Sequence, residues 1–143
     1  MKKILGALFI SLDGVVESPE QWQFDHFDGG MMEEMQTQLD SQDTVMLGRV
    51  TYEEWESYWP NSTDEPFASF INNIPKVVVS STLEKADWNN TTLINGDVVA
   101  EIKKLKEAEG KHIGTAGSPT LVRFLLENDL LDELILTIHP VIA

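Results

Sequence analysis

The chain is 143 residues long, the size of one domain, and can bury a core without disulfide or metal staples. It has no cysteine, which excludes a disulfide framework, a thiolate nucleophile and a Cys-ligated zinc. Its formal net charge of −14 speaks against nucleic acid and anionic membranes as partners, and it makes any anion-binding site conspicuous, with Arg49 and Arg123 the only two arginines.

Met1-Lys2-Lys3 leads into an apolar run, Ile4 to Ile10, which Ser11 and Asp13 stop before it reaches the length of a signal sequence. No run approaches the roughly 18 apolar residues of a membrane span, so the expected location is cytoplasmic. Ile4 to Leu12 reads as a buried first strand, with Gly6 and Ala7 leaving room on one face. Asp13-Gly14 marks a turn. The following stretch to Asp28 is irregular and crowds Pro19, Trp22, Phe24 and Phe27, which either cover a core or wall a pocket. Met31, Met32, Met35 and Leu39 have helical spacing and predict a helix over Gly29 to Ser41, with the methionines as core filler.

Thr44 to Leu47 is a second buried strand ending at Gly48. A helix over Thr51 to Trp59 follows, with Thr51 and Glu54 at capping-box spacing and Pro60 as its stop. Glu65 to Asn72 is a short helix, Lys76 to Ser80 a third strand and Thr91 to Ile94 a fourth. Asp97 caps a helix to about Glu109, with Val98, Val99, Ile102 and Leu105 inward and Gly110 closing it. The segment from Lys111 reads as strand, tight turn and helix. Ile113 is in the strand and Gly117 in the turn; Ser118 is the cap, Pro119 the first helical residue, and Leu121, Val122, Leu125 and Leu126 the buried face. Leu134 to Ile142 is a last strand.

Strands alternating with helices predict a mostly parallel sheet covered on both faces, and such sheets bind ligands beyond the carboxyl ends of their strands. Three of those ends carry phosphate-friendly groups. One is Gly48-Arg49-Val50-Thr51, with a close-approach glycine, a guanidinium fork and a helix-capping hydroxyl. The second is Ser80-Ser81-Thr82, where Ser81 and Glu84 also have capping-box spacing. The third is Gly117-Ser118-Pro119-Thr120, at the positive end of a helix. Each alone reads better as an ordinary turn or cap. Three in one small acidic domain point to a dinucleotide with several phosphates. His26, His112 and His139 have no ligand spacing, so no metal is expected, and His112 and His139 read as satisfied structural residues in strands. There is no G-x-S-x-G elbow and no G-x-G-x-x-G.

Gly48-Arg49-x-Thr51-Tyr52-Glu53, then Val77-Val78-Val79-Ser80-Ser81, then Ala116-Gly117-Ser118-x-x-Leu121-Val122 resembles the dihydrofolate reductase-like fold. Ser11-Leu12-Asp13-Gly14-Val15-Val16-Glu17 and the stretches Leu131-Asp132-Glu133-Leu134 and His139-Pro140-Val141-Ile142 are closest to one branch, that of the riboflavin-biosynthesis reductase domain (RibD C-terminal-like). The resemblance covers essentially the whole chain as one domain. It implies an α/β fold of the dihydrofolate reductase-like three-layer α-β-α type, with a mostly parallel central sheet and an antiparallel C-terminal strand. The chain stops at Ile142-Ala143, short of the final hairpin expected in the family.

The resemblance also implies a function. Gly48, Arg49, Thr51, Ser80 and Ser81 match positions that hold NADPH phosphates, and Gly117, Ser118 and Thr120 match the pyrophosphate turn. The first strand and its loop, from Ala7 to Gly14, match the border of nicotinamide and substrate, with Ala7 on the cofactor side. Ser11, Asp13, Gly14, Trp22 and Phe27 are then the substrate side. Dihydrofolate reductase proper carries Gly-Gly where this chain has Gly117-Ser118. It also uses an acidic relay near the start of its first long helix, a place where Asp28, Glu33 and Glu34 all lie; Asp28 is the candidate catalytic residue, and it reads equally as the N-cap before Gly29-Gly30. The expected activity is an NADPH-dependent oxidoreductase acting on a pteridine- or pyrimidine-like heterocycle, similar to 5-amino-6-(5-phosphoribosylamino)uracil reductase of riboflavin biosynthesis. The alternatives are a dihydrofolate reductase-type activity and a non-catalytic dimeric nucleotide-binding module. A homodimer is expected, through the aromatics Trp55, Tyr58 and Trp59 or through edge pairing of the last strand.

Overall fold

The structure, a computed structural model, describes residues 2–16, 29–65, 67–116 and 119–143. In chain order the elements are β1 (Ile4–Ser11), α1 (Gly29–Asp40), β2 (Gln42–Gly48), α2 (Arg49–Tyr58), α3 (Phe67–Asn73), β3 (Lys76–Val79), β4 (Thr91–Ile94), α4 (Val98–Glu107), β5 (His112–Ala116), α5 (Pro119–Glu127) and β6 (Glu133–His139), with one 3-10 turn at Trp59–Asn61. The strands form one six-stranded sheet in the order β4-β3-β2-β5-β1-β6, and every pairing is parallel.

The expected antiparallel last strand is therefore corrected. β6 runs alongside β1 from Leu5↔Glu133 to Ser11↔His139 in parallel register. The cause is local. α5 lies between β5 and β6, and it carries the chain back to the edge where β5 began, so β6 starts from that same edge.

Side chains alternate across the sheet and build two cores. On one face, Ile4, Met46 and Ile113 pack with Ile102 of α4 and with Leu121 and Leu125 of α5. On the other, Val45, Leu47 and Val78 pack with Tyr52 of α2, Ile71 of α3 and Trp88. β2 shows the division: Val45 and Leu47 go one way and Met46, between them, goes the other. The result is three layers, helices over both faces of the sheet.

Several local expectations change. α2 starts at Arg49 behind an extended Gly48, and no side chain caps it. Thr51 lies inside the first turn, so the Thr51–Glu54 capping box does not form, because the chain enters the helix directly from the end of β2. No helix follows Ser81, so that box has no helix to cap. α4 stops at Glu107, and Gly110 instead takes φ +139 beyond it, where an added Cβ would stand 2.5 Å from Asp43 Oδ2. Leu126 is 50% exposed rather than buried. Asp97 does cap α4, accepting from the Ala100 N–H at 3.2 Å. The side chains of Met31, Met32 and Met35 lie outside the description.

Candidate functional site

An all-parallel sheet places every carboxyl strand end on one edge of the molecule. The strand order decides which ends are neighbours. β3, β2 and β5 are adjacent, so Ser80, Gly48-Arg49 and Ala116, the last residue of β5, stand in a row. Register confirms the alignment: Gly48 pairs with Val79, and Met46 pairs with Thr115, one residue before Ala116. Three strand ends spread over some seventy residues of sequence thus share one border.

The next strand along makes a step. β5 ends at Ala116, opposite Ala7 of β1. β1 continues for four more residues, Leu8 to Ser11, supported only by β6. At about 3.3 Å per residue, the β1–β6 ribbon rises about 13 Å above the end of β5. Among the described residues, no strand pairs with the β5-facing side of β1 in this rise. A row of strand ends beside a raised ribbon is a shelf with a wall. Half-buried Ala7 lies at the corner, opposite Ala116.

Along the row, the groups differ in what they have free. Arg49 Nη1 is 3.0 Å from Glu53 Oε2, and both side chains are close to half exposed. Thr51 is half-buried and already has a partner. The Ser80 hydroxyl is buried and organises its own turn, accepting from the N–H groups of Thr82 and Leu83 at 3.1 Å each. That turn leaves Ser81 and Thr82 exposed at the border. Thr120 is exposed in the first turn of α5. At Gly96, just past β4, an added Cβ would meet nothing within 4 Å.

On the ribbon, Ser11 is buried and serves its turn. Its hydroxyl donates to Asp13 Oδ1 at 2.5 Å and accepts from the Val15 N–H at 2.9 Å. Gly14 closes the turn at φ +87, its N–H donating to the Ser11 carbonyl at 3.1 Å. The Ala143 N–H and the Ser11 hydroxyl both donate to Asp13, and they hold its carboxyl below the usual carboxylate range. It is a fixed anion at neutral pH, not a proton donor. Trp22, Phe27, Asp28, Gly117 and Ser118 lie outside the described residues.

Two residues outside the expected site also stand here: His139, which the sequence read as structural, and Thr115, which it did not single out. His139 is opposite Ser11, buried, with its ring edge-on to Phe9 at 5.2 Å and Nδ1 3.2 Å from the Thr137 carbonyl. Thr115 is buried just below the border, and its hydroxyl has no partner. A threonine inside an apolar strand gives no sequence signal of that kind. At the far end of β5, His112 Nδ1 is likewise buried without a partner, so His112 is not the satisfied residue expected. Among the described residues no group of three or more His, Cys, Asp or Glu could hold a metal ion. Nor is any helix long and apolar enough to cross a membrane.

Comparison with known proteins agrees with this architecture. The chain is 29% identical over 148 residues to the Bacillus subtilis (strain 168) protein named "Uncharacterized protein YyaP", spanning 99% of this chain and 76% of that one. It is 27% identical over 144 residues to "Uncharacterized protein YwjB" of the same organism, spanning 99% and 78%. The family described as RibD C-terminal domain matches residues 2–143. With that match running the length of the chain, and the sheet and its carboxyl border built as described, this protein belongs to the RibD C-terminal domain family.

Proposed function

We propose that the chain is an NADPH-dependent reductase of a planar pteridine- or pyrimidine-like heterocycle, similar in reaction to 5-amino-6-(5-phosphoribosylamino)uracil reductase. The observation that carries this reading is the row itself: the carboxyl ends of β3, β2 and β5 side by side, ending at the step beside Ala7. The residues present fit the cofactor. Arg49 offers a cation for a 2′-phosphate, with Thr51, Ser81 and Thr82 supplying hydroxyls, Ser80 shaping the turn that presents the last two, and Gly48 room for close approach. Gly117, Ser118 and Thr120 are assigned the pyrophosphate. When bound, the cofactor supplies a hydride. The chain's own part is to orient two rings along the ribbon and exclude water between them. Ser11, Asp13, Gly14, Trp22 and Phe27 are assigned to the substrate side, and Asp28 to proton relay. An NADPH-linked reductase of a small heterocycle also suits a cytoplasmic location.

Fluorescence titration with NADPH and NADH in parallel tests the reading. Saturable binding that favours NADPH is the expected outcome; binding of neither by folded protein sinks it. Arg49→Ala should weaken NADPH about tenfold and leave NADH nearly unchanged. That is the low end for a charge-assisted hydrogen bond of about 1.5–3 kcal/mol, because the site is half open to solvent. Equal losses for both cofactors remove Arg49 from the role. Turnover with dihydrofolate set against turnover with a ribosylaminouracil-type substrate separates the two reductase activities.

The second reading, a non-catalytic dimeric nucleotide-binding module, draws on a different place. Trp55 and Trp59 pack against the core of their face, which weakens an aromatic interface. The outer strand β6, however, exposes Leu134, Leu136 and Ile138.

A further inference from the structure

We infer that Glu53 is a specificity-determining residue that restrains binding of a 2′-phosphorylated cofactor by holding Arg49 away from the strand-end row; this rests on the cofactor reading above. Arg49 is the first residue of α2 and Glu53 stands one turn later. Residues four apart in a helix are offset by about 6 Å along its axis. The contact from Arg49 Nη1 to Glu53 Oε2, at 3.0 Å, therefore draws the guanidinium down the helix flank and away from the border. A phosphate seated at the border must draw Arg49 back. Otherwise it must share the guanidinium with a carboxylate of its own sign. Either way the cost falls on the phosphate alone. An unphosphorylated ribose at the same place has no need of Arg49.

The magnitudes are modest, which makes the claim definite. An exposed pair at this helical spacing shifts an equilibrium by about twofold. Relief of like-charge repulsion adds to it and fades with salt. Glu53→Gln should therefore bind NADPH about two- to fivefold more tightly than the unmodified chain at low salt. NADH affinity should stay within experimental error, and the NADPH gain should shrink as salt rises. α5 provides a matched control. Arg123 Nε and Glu127 Oε1 form a pair of the same spacing and length, 3.0 Å, at the end of the helix remote from the row. Glu127→Gln should change neither affinity.

The experiment is parallel titration of the unmodified chain, Glu53→Gln and Glu127→Gln with NADPH and NADH at two salt concentrations. Selective tightening of NADPH in Glu53→Gln alone supports the inference, since a general loosening of the helix moves both cofactors together. If the unmodified chain binds NADPH and Glu53→Gln leaves it unchanged, weakens it, or shifts both cofactors equally, the inference is overturned and the cofactor reading stands. Failure of the unmodified chain to bind either cofactor removes both.

Discussion

Lys76 is the residue most at odds with its surroundings. It opens β3 only 1% exposed, its ammonium donating to the carbonyls of Ile71 at 2.7 Å and Ile74 at 3.0 Å and lying 4.5 Å from the centre of a Trp88 ring. Those carbonyls belong to the end of α3 and its exit, so Lys76 satisfies acceptors that the helix leaves open. Burial nonetheless pushes its pKa down, from 10.5 to about 8. The unfolded chain thus holds the proton up to about pH 10.5, while the folded chain gives it up from about pH 8. Between those values the unfolded state binds more protons, so stability rises with pH; below pH 8 the cost of burying the charge is fully present. Urea unfolding at pH 7.5, 9 and 10 should show that rise, and Lys76→Met should flatten it. An unchanged slope in the variant would assign the rise to other groups. Nothing in Lys76-Val77-Val78-Val79 announces a buried ammonium, because a lysine at the mouth of a strand is usually solvated. Asp97, by contrast, was legible, since a helix cap is a contact within a few residues. Thr51 has the same local pattern, but Gly48 starts the helix too early for it to act.

Among elements, β6 carries the clearest liability. It is an outer strand, and Leu134, Leu136 and Ile138 share one face at 41, 44 and 65% exposed. Its start is well fastened: Asp132 accepts from the Ile4 N–H at 2.8 Å and pairs with Lys106 at 2.9 Å. Burial pushes the Asp132 carboxyl up, but these two partners outweigh it and hold the group below its usual range. No basic residue lies between Glu133 and Thr137 to discourage pairing along the open edge. Light scattering over a range of concentrations should therefore show self-association, and Leu136→Lys should reduce it while leaving cofactor titration unchanged. A monomer at every concentration would count against the dimer. The sequence located this strand but not its exposed face, because Leu134-Ile135-Leu136 is apolar at every position and carries no alternation. Its direction was implied by α5, and only the family expectation pointed the other way.

At the scale of the molecule, the strand ends that border the candidate site were legible one by one and illegible as a row. Adjacency depends on β5 entering between β2 and β1, a fact held in no stretch of sequence. The same insertion has a consequence for the order in which the protein is made. Among the described residues, the core around Val45, Tyr52, Ile71, Val78 and Trp88 draws only on residues between Val45 and Leu93. β1 is the opposite case, since both of its neighbours, β5 and β6, begin at His112 or later. A chain leaving the ribosome can assemble the core around Trp88, with Trp55 and Trp59 packed against it, while β1 still waits, unpaired and apolar, for β5 and β6. In refolding, Trp22→Phe leaves three tryptophans, Trp55, Trp59 and Trp88, all within that early half. Their fluorescence should change before the β1 amides gain protection from exchange; simultaneous change would mean that the two faces fold as one. Until β5 arrives, β1 is an exposed adhesive surface of the newborn chain, and a chaperone that reads short apolar segments has Ile4 to Ile10 on offer until the residues from His112 onward have emerged.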